Sequence, residues 1–323
     1  MKAAVLHQLG SLPKYEDFAD PVPNNENEIL INVKAASIKN LDKGRASGKH
    51  YASYKHLPVV VGIDGVGILE NGQRVYAQGI TGMIAEKALI NKNNYVELPD
   101  KIDDATAAAL PNAVLGAGMA LLYRAQIKEN EVILINGATG VTGSLAVQLA
   151  KYYGASKIAV TGRNSVQLEQ LKSLGADIII SLKQDDEAIV HQLKEFNAST
   201  PVDIVIDYLW GKPVELILKS LKGGGVNHFS HRARLVTVGS MAGEHINLES
   251  GTLRSSAIEI LGSGLGSISK EDWQQYTSKI LPEMFHLAAN GRLAIETETE
   301  PLFNIKHAWQ KEATPGKRIV VML

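Results

Sequence analysis

From Glu131 onward the chain repeats one pattern six times. The runs "EVILIN", "KIAVTG", "ADIIIS", "VDIVIDY", "RLVTVG" and "AIEILG" are short and almost wholly apolar. Most are separated by stretches such as "TGSLAVQLAKYYG", "SVQLEQLKSLG", "DEAIVHQLKEF" and "GKPVELILKSLKG", in which apolar residues recur at helical spacing. Strands that are apolar on both sides need cover on both faces, and strands that alternate with helices pair in parallel through crossovers. The segment therefore predicts an α/β fold with a doubly wound parallel sheet.

The first run passes straight into "NGATGVTG", with glycines at 137, 140 and 143 and Ala138 where the usual dinucleotide fingerprint has its first glycine. In such a turn Gly140 lets backbone approach a pyrophosphate, and Gly143 lets the helix pack tightly on the strand. The N–H groups at the helix start favour an anion. Val141, Leu145 and Leu149 follow at intervals of four and form one apolar stripe. A turn in this context points to a dinucleotide site, with a tight structural turn as the alternative. The second run sharpens the cofactor. Where a site for NAD places an acid for the ribose 2′-hydroxyl, this chain has Gly162, Arg163 and Asn164. Arg163 can pair with a 2′-phosphate, which favours NADPH over NAD, the alternative being a solvated arginine.

The first hundred residues read differently. Stretches such as "EILINVKAA" and "GVGILENGQRVYAQG" alternate apolar and polar residues between Gly, Asn and Pro, as strands and turns do. The last stretch, from about Asp272, holds a helix and the strand "KRIVVML" and is too short for a domain of its own, so it is expected to rejoin the first. The whole chain has 323 residues, 45% hydrophobic and 21% charged, with a formal net charge of −1. That balance gives no global attraction to nucleic acid or to an anionic membrane. With no cysteine, disulfides, thiolate nucleophiles and thiolate-ligated zinc are excluded. The N-terminal stretch lacks the apolar core of a signal peptide and no apolar run is expected to span a bilayer, so the reading is cytoplasmic.

Catalytic groups are harder to place. The histidines are dispersed except for His228 and His231 in "HFSH", which reads as a solvated loop on the rim away from the cofactor rather than a metal site. No G-x-S-x-G elbow is present. "LGSGLGS", from Gly262 to Ser267, is either a wall beside the nicotinamide or an ordinary loop. Polar candidates gather in "SIKNLDKGRASGKHYASYKHLP": Lys39, Asn40, Asp42, Tyr51 and Tyr54. Lysine and tyrosine there can stabilise an oxyanion or donate a proton to it, or simply pack at a rim.

Taken in order, "MKAAVL", "AASIKNLD", "LPVVVGIDGVG", "GQRVYAQG", "ALPNAVLGAGMALL" and "INGATGVTGSLAVQLAK" resemble the medium-chain dehydrogenase/reductase superfamily, and most of all its zinc-independent quinone oxidoreductase branch. The resemblance implies a GroES-like β-barrel catalytic domain from residues 1–112 and 264–323, an inserted Rossmann domain from 113–263, and an active site in the cleft. It also implies that Gly140, Val141, Gly143, Arg163 and Asn164 line the cofactor phosphates, with Gly239, Ser240, Gly262 and Ser263 near the rest of it. Zinc-dependent relatives carry a cysteine where Lys39 stands and Gly-His-Glu where this chain has Gly62, Ile63 and Asp64, so no metal is expected. Quinone reductases of this type often carry asparagine at the Lys39 position and tyrosine at the Gly44 position. Asn40 and Tyr51, each lying one position away from an expected polar site, are with Lys39 the candidate catalytic residues. The expected activity is hydride transfer from NADPH to a quinone or an α,β-unsaturated carbonyl, in a homodimer joined through "AIEILG", with water or Tyr51 as proton source. The alternatives are a cofactor-binding redox sensor and a reductase of another carbonyl class.

Overall fold

The computed structural model describes residues 1–223 and 230–323. The chain begins with β1 (Lys2–Leu6), β2 (Lys14–Asp17), β3 (Glu28–Ser37), α1 (Asn40–Ser47), β4 (Val59–Val60), β5 (Asp64–Ile68), β6 (Arg74–Gly79), β7 (Lys87–Glu97) and α2 (Asp104–Met119). Strand and helix then alternate through β8 (Val132–Asn136), α3 (Val141–Tyr152), β9 (Lys157–Gly162), α4 (Ser165–Leu174), β10 (Ile178–Ser181), α5 (Asp186–Ser199), β11 (Ile204–Asp207) and α6 (Gly211–Leu221). Next come β12 (Ala233–Thr237), α7 (Ser250–Arg254), β13 (Ile258–Gly262), α8 (Lys270–Gln275) and α9 (Leu281–Ala289). The chain closes with β14 (Glu296–Pro301), α10 (Ile305–Gln310) and β15 (Lys317–Met322). Two compact units result: Met1–Asn112 with Gln274–Leu323, and Ala113–Trp273.

In the first unit β3, β5, β6 and β7 pair antiparallel in that order, and β7 returns to pair with β3. The sheet closes on itself as a GroES-like barrel. Closure is possible because β3 is ten residues long. Its first half pairs with β7 and its second with β5, and a register shift between Val33 and Ala35 bends it at the changeover. At the far end of the chain, β15 adds to β3 and β14 lies parallel to β15. Leu6, Ile31, Ile84, Ile90, Ile305 and Val321, all fully buried, fill this core.

The second unit is a parallel six-stranded sheet in the order β10-β9-β8-β11-β12-β13. This is the order of two mononucleotide-binding halves, with its switch point between β8 and β11. All six apolar runs became its strands. The helical stretches end as their sequences dictate: Asn164 caps α4 by accepting from Gln167 N–H, Asp185 caps α5 by accepting from Ala188 N–H, and Gly175 in the left-handed region stops α4. Leu134, Ala159, Val205 and Leu235 of the sheet pack with Leu193, Phe196, Val214 and Ile217 of α5 and α6.

Contrary to the expectation that no apolar run is long enough to span a bilayer, one helix is. Residues 104–124, α2 with the wider turn Ala120–Arg124 that follows it, form a helix long and apolar enough to cross a membrane. Most of it is buried within the protein, Ala107, Ala109, Leu110, Ala113 and Ala120 fully so.

Candidate active site

Parallel strands deliver their carboxyl ends to one edge of the sheet, and ligands of such sheets bind there. At that edge β8 leads into Gly137–Val141, β9 into Arg163 and Asn164, β12 into Gly239 and Ser240, and β13 ends on Gly262 before Ser263. The topology thus gathers on one rim eight of the nine residues expected to hold the cofactor, and the ninth, Gly143, lies in the first turn of α3.

The three glycines of the first turn differ in what the protein demands of them. Gly137 has φ +84°, and a Cβ there would lie 2.7 Å from the Leu209 side chain. At Gly143 a Cβ would lie 2.6 Å from the Ala138 backbone, so the close approach of α3 to its own turn requires glycine. Gly140 is exposed, with φ −85° and, among the described residues, no protein atom within 4 Å of a Cβ position. Neither its backbone conformation nor its protein neighbours demand glycine. A cradle left bare at the N-terminus of α3 fits a pyrophosphate lying against it.

The remaining rim residues divide by what they already bind. Arg163 is exposed, and its guanidinium makes no hydrogen bond or ion pair among the described residues. Asn164 spends its side-chain oxygen on the α4 cap at 3.1 Å. Ser240 Oγ donates to Glu244 Oε1 at 2.8 Å, Ser263 is buried, and Gly262 accepts from Arg124 Nε through its carbonyl at 2.7 Å. Beneath the rim, Asn136, Thr161 and Asp207 are fully buried and linked. His231 lies at the opposite end of β12, hydrogen-bonded to Asp203 at 2.7 Å; His228 falls outside the described residues.

In the barrel unit the three catalytic candidates separate. Asn40 is exposed at the start of α1, and Tyr51 is 82% exposed with its ring against His50 at 4.2 Å. Lys39 instead is buried, 2% exposed. Its ammonium donates to Asp64 Oδ1 at 2.5 Å, to Ser37 O at 3.1 Å and to Ser37 Oγ at 3.3 Å, and it lies 3.3 Å from Asp42 Oδ2. Asp42 also accepts from the Lys39 and Ile63 backbone N–H groups, while Asp64 Oδ2 accepts from Tyr76 Oη at 3.0 Å. Tyr276 Oη donates to Pro111 O at 2.7 Å, and the Arg318 guanidinium adds a second cation beside the two carboxylates. Burial would lower the Lys39 pKa, but Asp42 and Asp64 outweigh it and hold it above the ordinary value. Burial pushes the Asp42 carboxyl up against the pull of Lys39. Burial and the neighbouring Asp64 charge push the Tyr76 hydroxyl far up, so it stays a donor. Tyr54 is half-buried with the Arg45 guanidinium 4.4 Å above its ring. Sequence pattern offered Lys39 and Asp42 as candidates and Asp64 as a departure. It had no signal for Ser37, Tyr76 or Arg318, which register and the return of β15 bring in, nor for Tyr276, which comes from the helical turn Tyr276–Ile280.

A family model described as "Zinc-binding dehydrogenase" matches residues 141–281. The chain is 28% identical to the human quinone oxidoreductase over 340 aligned positions, covering 100% of this chain and 98% of that one. It is 35% identical to the chloroplastic NADPH-dependent alkenal/one oxidoreductase of Arabidopsis thaliana over half of this chain and 46% of the relative. Among solved structures, the quinone oxidoreductase of Thermus thermophilus, also determined in complex with NADPH, superposes with a TM-score of 0.78 at 25% identity over the full length of both chains. A mycobacterial quinone oxidoreductase shares the fold at a TM-score of 0.84 and 20% identity. Over its whole length this chain is similar to quinone oxidoreductases, in line with its resemblance to the medium-chain dehydrogenase/reductase superfamily. The matched family's description implies zinc, and the residues here do not fit it. The chain has no cysteine, no group of three or more metal-ligating side chains exists among the described residues, and the Lys39 ammonium already sits on Asp42 and Asp64. A bound cation would have to displace an ammonium from two carboxylates.

Proposed function

We propose that the protein is a zinc-free, NADPH-dependent reductase of quinones or α,β-unsaturated carbonyls. The observation that carries the cofactor is the bare Gly140 at the start of α3, flanked by glycines that packing does require. The Gly140–Val141 turn holds the pyrophosphate, Arg163 holds the 2′-phosphate, and the glycine-bearing ends of β12 and β13 bound the rest. NADPH-dependent action on alkenals and enones in the Arabidopsis relative, and the NADPH complex of the Thermus enzyme, support the same choice.

When bound, NADPH supplies a hydride from its nicotinamide ring. With no metal to polarise an isolated ketone, the reaction suits an acceptor whose developing charge spreads over a conjugated system, where orientation and hydrogen-bond donors suffice. Lys39 takes the structural place of a cation and is committed to two carboxylates, so the proton comes from solvent. Tyr51→Phe should therefore stay active rather than lose the 10²–10⁴ in kcat that removal of a general acid would cost, roughly speaking. The test is a panel of NADPH oxidation with a quinone, an enone, a saturated ketone and a saturated alcohol, before and after prolonged chelation. Turnover of the first two that survives chelation is expected. Activity confined to the saturated compounds, or lost on chelation and restored only by zinc, would overturn the reading.

A further inference from the structure

Beneath the rim, one row of side chains crosses four strands. Register pairs Thr161 with Asn136, Asn136 with Asp207 and Asp207 with Thr237, the last residues of β9, β8, β11 and β12 or one short of the last. The row is a directed hydrogen-bond chain. Gly137 N–H donates to Thr161 Oγ1 at 3.2 Å, Thr161 Oγ1 donates to Asn136 Oδ1 at 2.5 Å, and Asn136 Nδ2 donates to Asp207 Oδ1 at 2.7 Å. The direction has one source. A carboxylate only accepts, so Asn136 must turn its NH₂ toward Asp207 and its oxygen toward Thr161. The Thr161 proton is then spent, and its lone pairs face the glycine turn.

Both ends of the chain hold backbone of the cofactor rim. Thr161 also accepts Ala138 N–H through its carbonyl at 2.9 Å, so one residue fixes the first two amides of the turn. Asp207 accepts from Leu209 N–H at 3.0 Å and from Trp210 N–H at 3.1 Å, and Trp210 sits at φ 54°, a left-handed conformation that a bulky residue keeps only when its surroundings hold it. The Leu209 side chain in turn closes on Gly137. The contacts form a ring: Gly137, Thr161, Asn136, Asp207, Leu209 and back to Gly137. The glycine turn is clamped inside it.

We propose that Thr161 and Asp207 are positioning residues for the dinucleotide: buried and out of reach of it, they set the shape of the turn that binds it through the Asn136 bridge. The proposal rests on the NADPH reading above. The test is calorimetric titration of NADPH into the folded parent, Thr161→Val, Thr161→Ser, Asp207→Asn and the Thr161→Val/Asp207→Asn pair, with an unfolding curve for each. Thr161→Val keeps the shape and removes the hydroxyl; its Kd should rise about tenfold, the scale of one buried hydrogen bond lost. Thr161→Ser should return to within about twofold of the parent, and the double variant should be no weaker than the weaker single, because both break one chain. With saturating NADPH kcat should be kept while KM for NADPH rises. Equal Kd for Thr161→Val and parent, failure of Thr161→Ser to restore binding, or additive effects of the pair would overturn the proposal. If Asp207→Asn does not fold, the two Thr161 variants decide alone. A parent that does not bind NADPH refutes the cofactor reading instead.

Discussion

Lys39→Met removes a buried cation and leaves the methylene stem's volume. Asp42 and Asp64 then keep the Arg318 guanidinium as a neighbouring cation but lose the ammonium held between them. Breaking a buried pair by deleting one partner costs about 3–5 kcal/mol. For a unit of this size that corresponds to a fall in Tm of roughly 6–20 °C at neutral pH. The pH dependence is diagnostic. In the parent the Lys39 pKa is raised, so its contribution is complete below its unfolded value and is lost only as pH climbs through the folded value, in strong alkali. The Asp42 carboxyl is already pushed up by burial, and Lys39 is what pulls it back. Without that pull Asp42 takes up a proton on folding, and a group whose folded pKa is raised loses its stabilising contribution as pH rises. The variant should therefore lose stability steadily between about pH 4 and neutrality, and its deficit should shrink toward acid, where a protonated carboxyl needs no counter-charge. Thermal unfolding followed by circular dichroism across that range measures both effects. Lys39→Met/Asp64→Asn, which removes one negative charge yet keeps an acceptor for Tyr76, should recover a large part of the loss. A Lys39→Met protein with parental Tm and a flat pH profile would refute the view that Lys39 serves as an internal cation.

Gly140→Ala should leave the unfolding midpoint unchanged and weaken NADPH binding, whereas Gly143→Ala should lower the midpoint, because its Cβ meets backbone at 2.6 Å; equal stability losses in both would contradict the reading of Gly140. Arg163→Ala should remove most of a tenfold to hundredfold preference for NADPH over NADH, the scale of a charge-assisted hydrogen bond of about 1.5–3 kcal/mol, and equal parental affinities for the two cofactors would dismiss the role. The edge strand β13, which among the described residues pairs with β12 alone, is proposed to pair with its twofold mate in a homodimer; light scattering that finds a monomer at micromolar concentration would count against it.

The parallel sheet was legible because its information is local. Each apolar run and each amphipathic stretch carries its own periodicity, and Asn164, Asp185 and Gly175 mark helix ends within a few residues. Barrel closure was not, since it depends on β3 meeting β7 across some sixty positions of chain and on a register shift at Val33 that no composition announces. The site divides along the same line. Gly140 and Arg163 stood out because motif spacing carries them. Tyr51 was a candidate as a tyrosine in the polar loop, one position from an expected polar site, and the fold leaves it exposed while burying the lysine. The burial of Lys39 could not be read because lysine is seldom buried unless paired, and its partner Asp64 is 25 residues away. Asp207 sat in plain view at the end of "VDIVIDY", but its significance lies in a row that exists only once four strands are in register.

Hydride transfer from NADPH to a conjugated carbon leaves a label that can be followed. The protein is incubated with an enone and NADPH that carries deuterium at both positions of nicotinamide C4, and the product is examined by mass spectrometry and NMR. The expected product is a saturated ketone with one deuterium on the carbon β to the carbonyl and a hydrogen from solvent on the α carbon. Deuterium on the carbonyl carbon of an allylic alcohol, or a product with no deuterium at all, would contradict it.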